Sequence, residues 1–378
     1  MSLSLGGSLA AHKSLPKELY ARATIPGIPD ARAWGDEAPP WTQSWLDTPK
    51  KELHARYPGI VGVEHNYLAI SGGGANGAFG AGFLTGWTQK GTRPEFTGVT
   101  GISTGALIAP FAYLGSAYDD TIKELYTCYS TKDLVKQRNP LSAVTSSAML
   151  ITDGLKSAIA RYLDRTVLNA IAAEWVNKGR PLSIGTTNLN ALRPVIWRLA
   201  SIAASEHHHA LALARKILLA STSLPIAFPP VHIEVEADGA KFKELHVDGG
   251  VAAQLFLYPP SIDWRRILKK LDVVGTPNVY IIRNSRLEPS WEEVKSRVLP
   301  IAMRTMSSLI RTQGIGDLFR VYLSALRDGL NFNLIHIPDD FVVEPKERFD
   351  PVYMRELFDL GHSLGCSKNP WKQAPPGF

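Results

Sequence analysis

Residues 66–77, NYLAISGGGANG, and residues 96–105, FTGVTGISTG, decide the fold of this 378-residue chain. In the first segment a short apolar run stops abruptly at Gly72-Gly73-Gly74, which is typical of a buried strand that ends in a tight loop. In the second segment the predicted strand Phe96–Ile102 ends at Ser103. Each strand is followed by a predicted helix made largely of small or apolar residues, at Ala78–Lys90 and Gly105–Leu114. The order strand, helix, strand, helix predicts βαβ units and a parallel sheet, which binds ligands at the carboxyl ends of its strands.

The rest of the chain contains further elements of both kinds. Val231–Ala237 and Ala240–Val247 are extended runs on either side of Asp238-Gly239, a dipeptide that predicts a tight hairpin. Further strands are predicted at Pro181–Thr187, Asn278–Arg283 and Leu330–Pro338, and helices at residues 286–329 and 350–364. We therefore predict the α/β fold class with a mostly parallel central sheet.

The composition is that of an ordinary soluble globular chain, with 45% apolar and 20% charged residues. The net charge of +6 (41 − 35) is spread along the chain. The sequence has no dense basic block with interleaved aromatic residues, so it does not predict a nucleic-acid partner. No apolar run approaches the roughly 18 residues that predict a transmembrane helix. Cys128 and Cys366 are too few for a cysteine-rich metal site, and we expect both to be buried free thiols.

We predict three segments. Residues 1–65 form an arm that packs on the core: its closely spaced prolines break periodic structure, and its tryptophans favour burial against the core; a disordered tail is the alternative. Residues 66–285 form the main domain, and residues 286–378 form a mainly helical extension of the same domain. Met1–Ala11 has neither a basic start nor a continuous apolar run, so it does not fit a signal peptide. The cellular location stays open.

Ser103 lies in the pattern Gly-x-Ser-x-Gly, between Gly101 and Gly105. A strand precedes it and a helix follows, which is the context of a nucleophile elbow. The tight turn raises the serine hydroxyl above the sheet at the positive end of the helix, where an anion is stabilised. We predict Ser103 as a nucleophile; the alternative is a tight turn in which Ser103 only caps the helix.

A loop of small residues follows the preceding strand: Gly72, Gly73, Gly74, Ala75, Asn76 and Gly77. Glycines let backbone N–H groups approach and point at a substrate oxygen, so this loop is a candidate oxyanion hole. The same residues also fit a dinucleotide-binding fingerprint. That motif needs an acidic residue at the end of the second strand, whereas Glu95 precedes that strand, so we predict no cofactor.

Asp248 is the candidate general base. It follows a strand and enters Gly249-Gly250, so its carboxyl group should be partly buried, which raises its pKa toward that of a useful base. Asp328 also precedes a glycine, but its charged surroundings predict an exposed site. The histidines downstream of Asp248, which a serine–histidine–aspartate triad would need, are His336 in a strand pattern and His362 in a terminal helix. Both fit structural roles better.

These motifs together resemble the patatin-like phospholipase family. The Gly72–Gly77 loop, the elbow at Ser103 and the Asp248–Gly250 motif occur in the family's order, Ala220–Pro230 is also similar, and the likeness spans about residues 66–255. The resemblance implies a three-layer α/β/α core and a Ser103–Asp248 dyad without a catalytic histidine, metal or cofactor. It also implies an oxyanion hole at the glycine loop and hydrolysis of acyl esters of lipids, including phospholipids.

Two positions depart from the family pattern. Asn76 stands where the family often has arginine or lysine, and Gln254 stands near the position of a frequent asparagine. Two hypotheses besides lipid hydrolysis by a dyad therefore stay open. One is a lipid-binding or membrane-binding member without turnover, and the second is an esterase that uses His336 or His362 with Ser103.

Two further motifs have simple explanations. His207-His208-His209 is consecutive, and consecutive side chains diverge, so we predict a solvated helix start and no metal site. Trp264–Leu271, WRRILKKL, is a basic amphipathic segment. It is typical of a solvated surface helix; the alternative is an interfacial helix that brings the positive charge of the chain to an anionic membrane.

Overall fold

The computed structural model describes residues 13–138 and 146–378, so Met1–Ala11 lies outside the described residues. The strands are β1 (Arg32–Trp34), β2 (Asn66–Ile70), β3 (Gly98–Ile102), β4 (Lys136–Gln137), β5 (Leu150–Ile151), β6 (Leu182–Asn188), β7 (Arg193–Arg198), β8 (Val231–Ala237), β9 (Ala240–Asp248), β10 (Asn278–Arg283) and β11 (Asn331–His336).

The helices of the described residues begin with α1 (Thr42–Asp47), α2 (Lys50–Arg56), α3 (Gly77–Gln89), α4 (Thr104–Leu114), α5 (Asp119–Thr127), α6 (Thr131–Leu134) and α7 (Asp153–Tyr162). They continue with α8 (Arg165–Lys178), α9 (Leu199–Ala203), α10 (Ala210–Ser221), α11 (Trp264–Lys270), α12 (Val298–Asp328) and α13 (Pro351–Cys366).

Strands from both halves of the chain form one nine-stranded sheet in the order β1-β7-β6-β3-β2-β10-β11, with the β8–β9 hairpin attached through β9 to β6. The neighbouring strands β6, β3, β2, β10 and β11 run parallel, whereas β1, β7, β8 and β9 pair in antiparallel fashion. The hairpin turns at Asp238 and Gly239, both with positive φ, as their sequence predicts. The parallel strands bring the ends of β2, β3 and β10 to one edge of the sheet.

Helices cover both faces of this sheet. Leu68 and Ile70 of β2 belong to an apolar cluster that includes α3, α4 and α13. Tyr67 and Ala69 of the same strand belong to a second cluster, with Leu318 and other side chains of α12. Successive strand residues point to opposite faces, so the sheet lies between two helical layers. This arrangement confirms the predicted α/β/α fold class.

The backbones of α3 and α13 touch. A Cβ atom on Gly82 would lie 1.9 Å from the carbonyl oxygen of Phe358, and one on Gly361 would lie 2.2 Å from that of Phe79. These glycines explain the small-residue composition of α3, because larger side chains would force the two helices apart. Helix α13 therefore holds α3, which begins at the end of the glycine loop, against the sheet.

The structure corrects three predictions, two of them in the carboxyl-terminal segment. The helix predicted over 286–329 begins only at Val298, because Pro289 interrupts the helical pattern and the backbone N–H of Leu287 donates to Asp339 instead. Asp328 is buried, contrary to its predicted exposure, and accepts a hydrogen bond from Tyr258 at 2.6 Å. Cys128 is exposed rather than buried, since its backbone closes the end of α5; it and Cys366 are both free.

The predicted division at residues 65 and 285 stays a prediction. Strand β1 of the arm pairs with β7, and β11 pairs with β10, so the central sheet crosses both boundaries. Arg32 of β1 forms a buried ion pair with Glu244 of β9, whose carboxylate also contacts His246 Nε2 at 3.1 Å. Burial would raise the pKa of Glu244, but hydrogen bonds from His246 and Arg32 lower it to about 2.

Arg32→Met is expected to lower the free energy of unfolding by about 3–5 kcal/mol, because it leaves the buried Glu244 carboxylate without its main partner. Urea unfolding of the two proteins measures the difference. The matched control is Arg22→Met, which breaks an exposed arm pair with Asp238 and should cost less than about 1 kcal/mol. Equal losses in the two variants would contradict this account of the arm.

Candidate active site

Ser103 occupies a strained turn between β3 and α4, with φ 53° and ψ −121°. This region is unfavourable for a residue with a side chain, and such strain is commonly found at functional positions. A Cβ atom on Gly101 would lie 2.4 Å from the Gly105 carbonyl oxygen, and one on Gly105 would lie 2.2 Å from that of Ile70. Both glycines of the predicted elbow are therefore required sterically, and together they hold Ser103 in place.

The carboxyl group of Asp248 lies beside the Ser103 hydroxyl. Ser103 Oγ donates a hydrogen bond to Asp248 Oδ2 at 2.7 Å, and the Gly250 N–H donates to Oδ1 at 2.8 Å. The structure thus brings together the two side chains that the sequence predicts as nucleophile and base. Their catalytic roles stay predictions.

Burial sets the acidity of Asp248. The residue is only 4% exposed, and desolvation raises the pKa of its carboxyl group from 3.8 to about 7, against the opposing effect of the hydrogen bonds from Ser103 and Gly250. Near neutral pH both protonation states are therefore populated. A base with a pKa close to the working pH is well suited to accept a proton and later return it.

Two serines that the motifs do not identify complete the frame around this pair. Ser221 Oγ donates to the Gly185 carbonyl at 2.7 Å and accepts from the Ser103 N–H at 2.9 Å. The Ser223 carbonyl accepts from the Asp248 N–H at 3.0 Å. The available signal was the Ala220–Pro230 stretch, whose resemblance to the family gave no role to either serine.

Some backbone N–H groups of the glycine loop donate hydrogen bonds within the protein, and others do not. Gly72 donates to the Gln254 carbonyl, Asn76 donates to the Gly73 carbonyl, and Gly77 donates back into the loop. No described residue accepts a hydrogen bond from the N–H of Gly73, Gly74 or Ala75. Among residues 72–77, the backbone donors that remain available for the predicted oxyanion role are therefore those of Gly73, Gly74 and Ala75, and this role remains a proposal.

The two departures from the family pattern have structural uses. Asn76 Oδ1 accepts a hydrogen bond from the Tyr353 hydroxyl at 2.7 Å, which links the glycine loop to α13. Gln254 Nε2 donates to the Gly250 carbonyl at 3.2 Å, so this side chain supports the loop that follows Asp248.

Ser103 and Asp248 line a cavity of about 660 Å³, a size typical of small-molecule sites. The cavity also contacts Gly72, Gly73, Gly74, Ala75 and Asn76. A large part of its wall is formed by aliphatic and aromatic side chains: Leu107, Phe111, Leu125, Leu155, Ile159, Leu163, Leu218, Leu224 and Phe228. Such a wall can hold a hydrocarbon chain next to the nucleophile.

The two histidines that a catalytic triad would need lie elsewhere. His336 is buried at the end of β11, where its ring contacts the Ile337 carbonyl at 2.8 Å and Lys372 Nζ at 2.7 Å. His362 lies in α13 and stacks on Phe358. No histidine of the described residues lines the cavity that contains Ser103.

Glu95 and the consecutive histidines 207–209 lie outside this cavity. Glu95 pairs with Lys178 at 2.6 Å and with Arg180 at 2.8 Å, as a surface ion-pair residue does. The expected divergence of the rings of residues 207–209 was wrong, because these residues form a turn before α10 and their ring centroids lie 3.8–5.6 Å apart. In the described parts of the chain, no group of three or more His, Cys, Asp or Glu residues is arranged to hold a metal ion.

Helix α11 is packed as a surface helix. Ile267 is buried, and the Trp264 ring stacks on Tyr258 with centroids 4.4 Å apart. Because the apolar side of α11 already faces the protein, this helix cannot insert that side into a membrane in this conformation.

The chain is similar to proteins of one known family. The family model described as patatin-like phospholipase matches residues 68–259, about half of the chain, and includes both Ser103 and Asp248. Two solved structures show 12% identity. VipD from Legionella pneumophila has a TM-score of 0.36, with 79% of this chain and 67% of that chain covered. The type III effector protein ExoU has a TM-score of 0.22, with coverages of 81% and 54%. No curated protein matches.

The burial of Asp248 predicts a specific pH dependence of stability. Between the ordinary pKa of 3.8 and the folded pKa of about 7, the unfolded chain releases a proton that the folded protein keeps. Rising pH therefore lowers the free energy of unfolding by about 1.4 kcal/mol per unit in this window. Asp248→Asn lacks this loss, so its stability relative to the wild type should increase from about pH 5 to about pH 7.

Urea unfolding across this pH range measures the effect. Ser103→Ala is the matched control, because it changes the neighbouring side chain but keeps the buried carboxyl group and hence the pH dependence. Parallel stability curves for Asp248→Asn and the wild type would show that Asp248 titrates alike in the folded and unfolded states.

Proposed function

This chain belongs to the patatin-like phospholipase family, whose members are lipid acyl hydrolases, and we propose that it cleaves acyl esters of lipids through Ser103 and Asp248. The observation that carries the proposal is the 2.7 Å hydrogen bond between Ser103 Oγ and Asp248 Oδ2, at the wall of an apolar cavity. This pairing supplies a nucleophile and a proton acceptor without a histidine.

In the proposed first step, Ser103 Oγ attacks the ester carbonyl carbon while Asp248 accepts its proton. The carbonyl oxygen of the ester becomes negatively charged, and the N–H groups of Gly73 and Gly74 are the proposed donors that stabilise it. Collapse of this intermediate breaks the bond to the alcohol, and Asp248 returns the proton to the leaving oxygen. The products of the step are a free alcohol and an acyl group on Ser103.

In the second step, water takes the place of the alcohol. Asp248, again ionised, accepts a proton from water as the water oxygen attacks the acyl carbon, and the proton then returns to Ser103 Oγ. A carboxyl group with a pKa of about 7 can act in both directions near neutral pH. The fatty acid leaves and the free enzyme is restored.

A lipid surface is the proposed source of the substrate. The segment 291–301, which directly follows the cavity-lining residue Ser290, exposes Trp291 (88%), Val298 (88%) and Ile301 (49%). A cluster of exposed apolar side chains on a soluble protein marks an interaction surface. We assign peripheral membrane contact to this segment in place of α11. In the described parts of the chain, no helix is long and apolar enough to cross a membrane.

Ser103→Ala should abolish hydrolysis of p-nitrophenyl esters and of phospholipid acyl esters, because the attacking oxygen is removed. Asp248→Asn should lower kcat by about 100-fold or more, since the amide cannot accept the serine proton. Released p-nitrophenol and mass-spectrometric detection of free fatty acid measure the two activities. A series of p-nitrophenyl esters with acyl chains of different length also gives the chain-length preference of the enzyme.

The matched control for Ser103→Ala is Ser261→Ala, because Ser261 is exposed and does not line the cavity. It should retain wild-type rates. Undiminished ester hydrolysis by the Ser103→Ala protein would refute the proposed function.

Trp291→Ser should weaken binding to phosphatidylcholine vesicles by about tenfold, because it removes the apolar indole ring whose burial in the bilayer would favour binding. Cosedimentation with the vesicles measures binding. The control is Val176→Ser on α8, which removes an exposed apolar side chain (64%) away from the cavity. Equal binding of both variants would contradict the assignment of membrane contact to segment 291–301.

A further inference from the structure

Besides its apolar part, the cavity wall carries an excess of positive charge. Five arginines line the cavity: Arg283, Arg286, Arg304, Arg311 and Arg348. The acidic side chains that line it are Asp248 and Glu288. The described wall is therefore net positive even when both acids are ionised, and all five arginines lie carboxyl-terminal to the segment that the family model matches.

Arg283 is the most deeply buried of these arginines. It is the last residue of β10, is 2% exposed, and donates from Nη1 to the Gly314 carbonyl at 2.7 Å. Its Nε atom is buried without a hydrogen-bond partner among the described residues. Burial, and then repulsion from Arg311, lowers the pKa of Arg283 to about 10, with partial compensation from Asp317. A buried guanidinium in this situation is favourable only when an anion completes its environment.

Arg311 on α12 also has an Nε donor without a hydrogen-bond partner. Its Nη2 atom donates to the Leu287 carbonyl at 2.6 Å, but its buried Nε atom has no partner in the described parts of the chain. The nearby carboxylate of Asp317 accepts a hydrogen bond from the Gln254 N–H at Oδ2 (2.7 Å). Its Oδ1 atom forms an ion pair with Arg320 at 3.1 Å but accepts no hydrogen bond from the described residues, those of Arg283 and Arg311 included. Two neighbouring guanidinium groups thus each keep a donor that the described residues do not satisfy.

Arg283 lies one side chain away from the nucleophile. A Cβ atom on Gly72 would be 3.1 Å from Ser103 Cβ and 2.7 Å from Gln254 Oε1. A Cβ atom on Gly314 would be 3.1 Å from both Arg283 Nη1 and Gln254 Cβ. Gln254 therefore separates Arg283 from the serine, and an anion at the arginines would lie close to an ester bound at Ser103.

We propose that Arg283 and Arg311 form a subsite for a phosphate group, and that the enzyme prefers lipids whose headgroup is a phosphate monoester close to the scissile ester. This inference rests on the proposed function, because the subsite belongs to the cavity that holds Ser103. The planar guanidinium group presents paired N–H donors that fit phosphate oxygens, and two such groups match a dianion. The apolar wall takes the acyl chain, and the arginines take the headgroup.

Hydrolysis of two matched lipids tests the substrate preference: dihexanoyl phosphatidic acid and dihexanoylglycerol, which share their acyl chains and differ by the phosphate. The wild type should favour phosphatidic acid in kcat/KM. Arg311→Met should lower the ratio of the two kcat/KM values by about tenfold or more, as expected for a lost hydrogen bond to a charged group. Arg311→Lys keeps the positive charge but lacks the paired N–H donors of the guanidinium group, and should give an intermediate ratio.

The matched control is Arg266→Met, an exposed arginine on α11 outside the cavity, which should leave the ratio at the wild-type value. Near-ultraviolet circular dichroism checks that the Arg311 variants retain their tertiary packing. A ratio unchanged in both Arg311→Met and Arg311→Lys would overturn the headgroup assignment, as would a wild-type preference for dihexanoylglycerol.

Calorimetry separates this inference from the proposed function. Inorganic phosphate and sn-glycerol 3-phosphate are titrated into Ser103→Ala protein and into the Ser103→Ala/Arg311→Met double variant. Tighter binding of glycerol phosphate, lost with Arg311, supports a lipid headgroup site even if the wild type hydrolyses neither lipid. Binding of inorganic phosphate alone overturns the headgroup assignment in favour of a free anion. Equal binding by both proteins, or binding by neither, overturns the subsite.

Discussion

The hydrogen bond between Ser103 and Asp248 requires two strand ends to meet although 145 residues separate them in the chain. Strand β6 makes this possible, because it pairs in parallel with β3 and in antiparallel fashion with β9. Gly185 of β6 lies opposite Ile102, just before the serine, while the next residue, Thr186, lies opposite Asp248. A shift of one residue in either pairing would separate the hydroxyl from the carboxyl group. The sheet register is therefore the constraint on which the site depends.

Burial of the carboxyl group links this geometry to chemistry. The same desolvation that raises the pKa of Asp248 to about 7 makes it a useful base near neutral pH and a destabilising group above that pH. The surrounding groups limit this cost, because the Gly250 N–H and the Ser103 hydroxyl both donate to the carboxylate. The proposed phosphate subsite extends the same logic, since it too places charge in a partly buried cavity where a partner makes the largest difference.

Local patterns in the sequence were sufficient to predict the core of this site. Apolar runs that stop at glycines predicted β2, β3 and the elbow at Ser103, and a strand followed by Asp248-Gly249-Gly250 predicted the acid. The roles of Ser221 and Arg283 could not be predicted in this way. Each depends on a contact between elements that are distant in the chain. Ser221 lies in the family-like stretch Ala220–Pro230, but that resemblance gives it no role, and Arg283 carries no local signal. The exposure predicted for Asp328 failed for the same reason, because Tyr258 covers it through tertiary packing.

The rate at which a fluorophosphonate modifies Ser103, measured by mass spectrometry as a function of pH, tests the central claim most directly. Phosphonylation needs the serine hydroxyl to lose its proton to a neighbouring base but does not depend on the identity of the lipid substrate. If Asp248 is that base, the rate should rise with pH to half its maximum near pH 7, and it should fall strongly in Asp248→Asn. Modification of a different residue, or a rate at Ser103 that is indifferent to both pH and Asp248→Asn, would contradict the account.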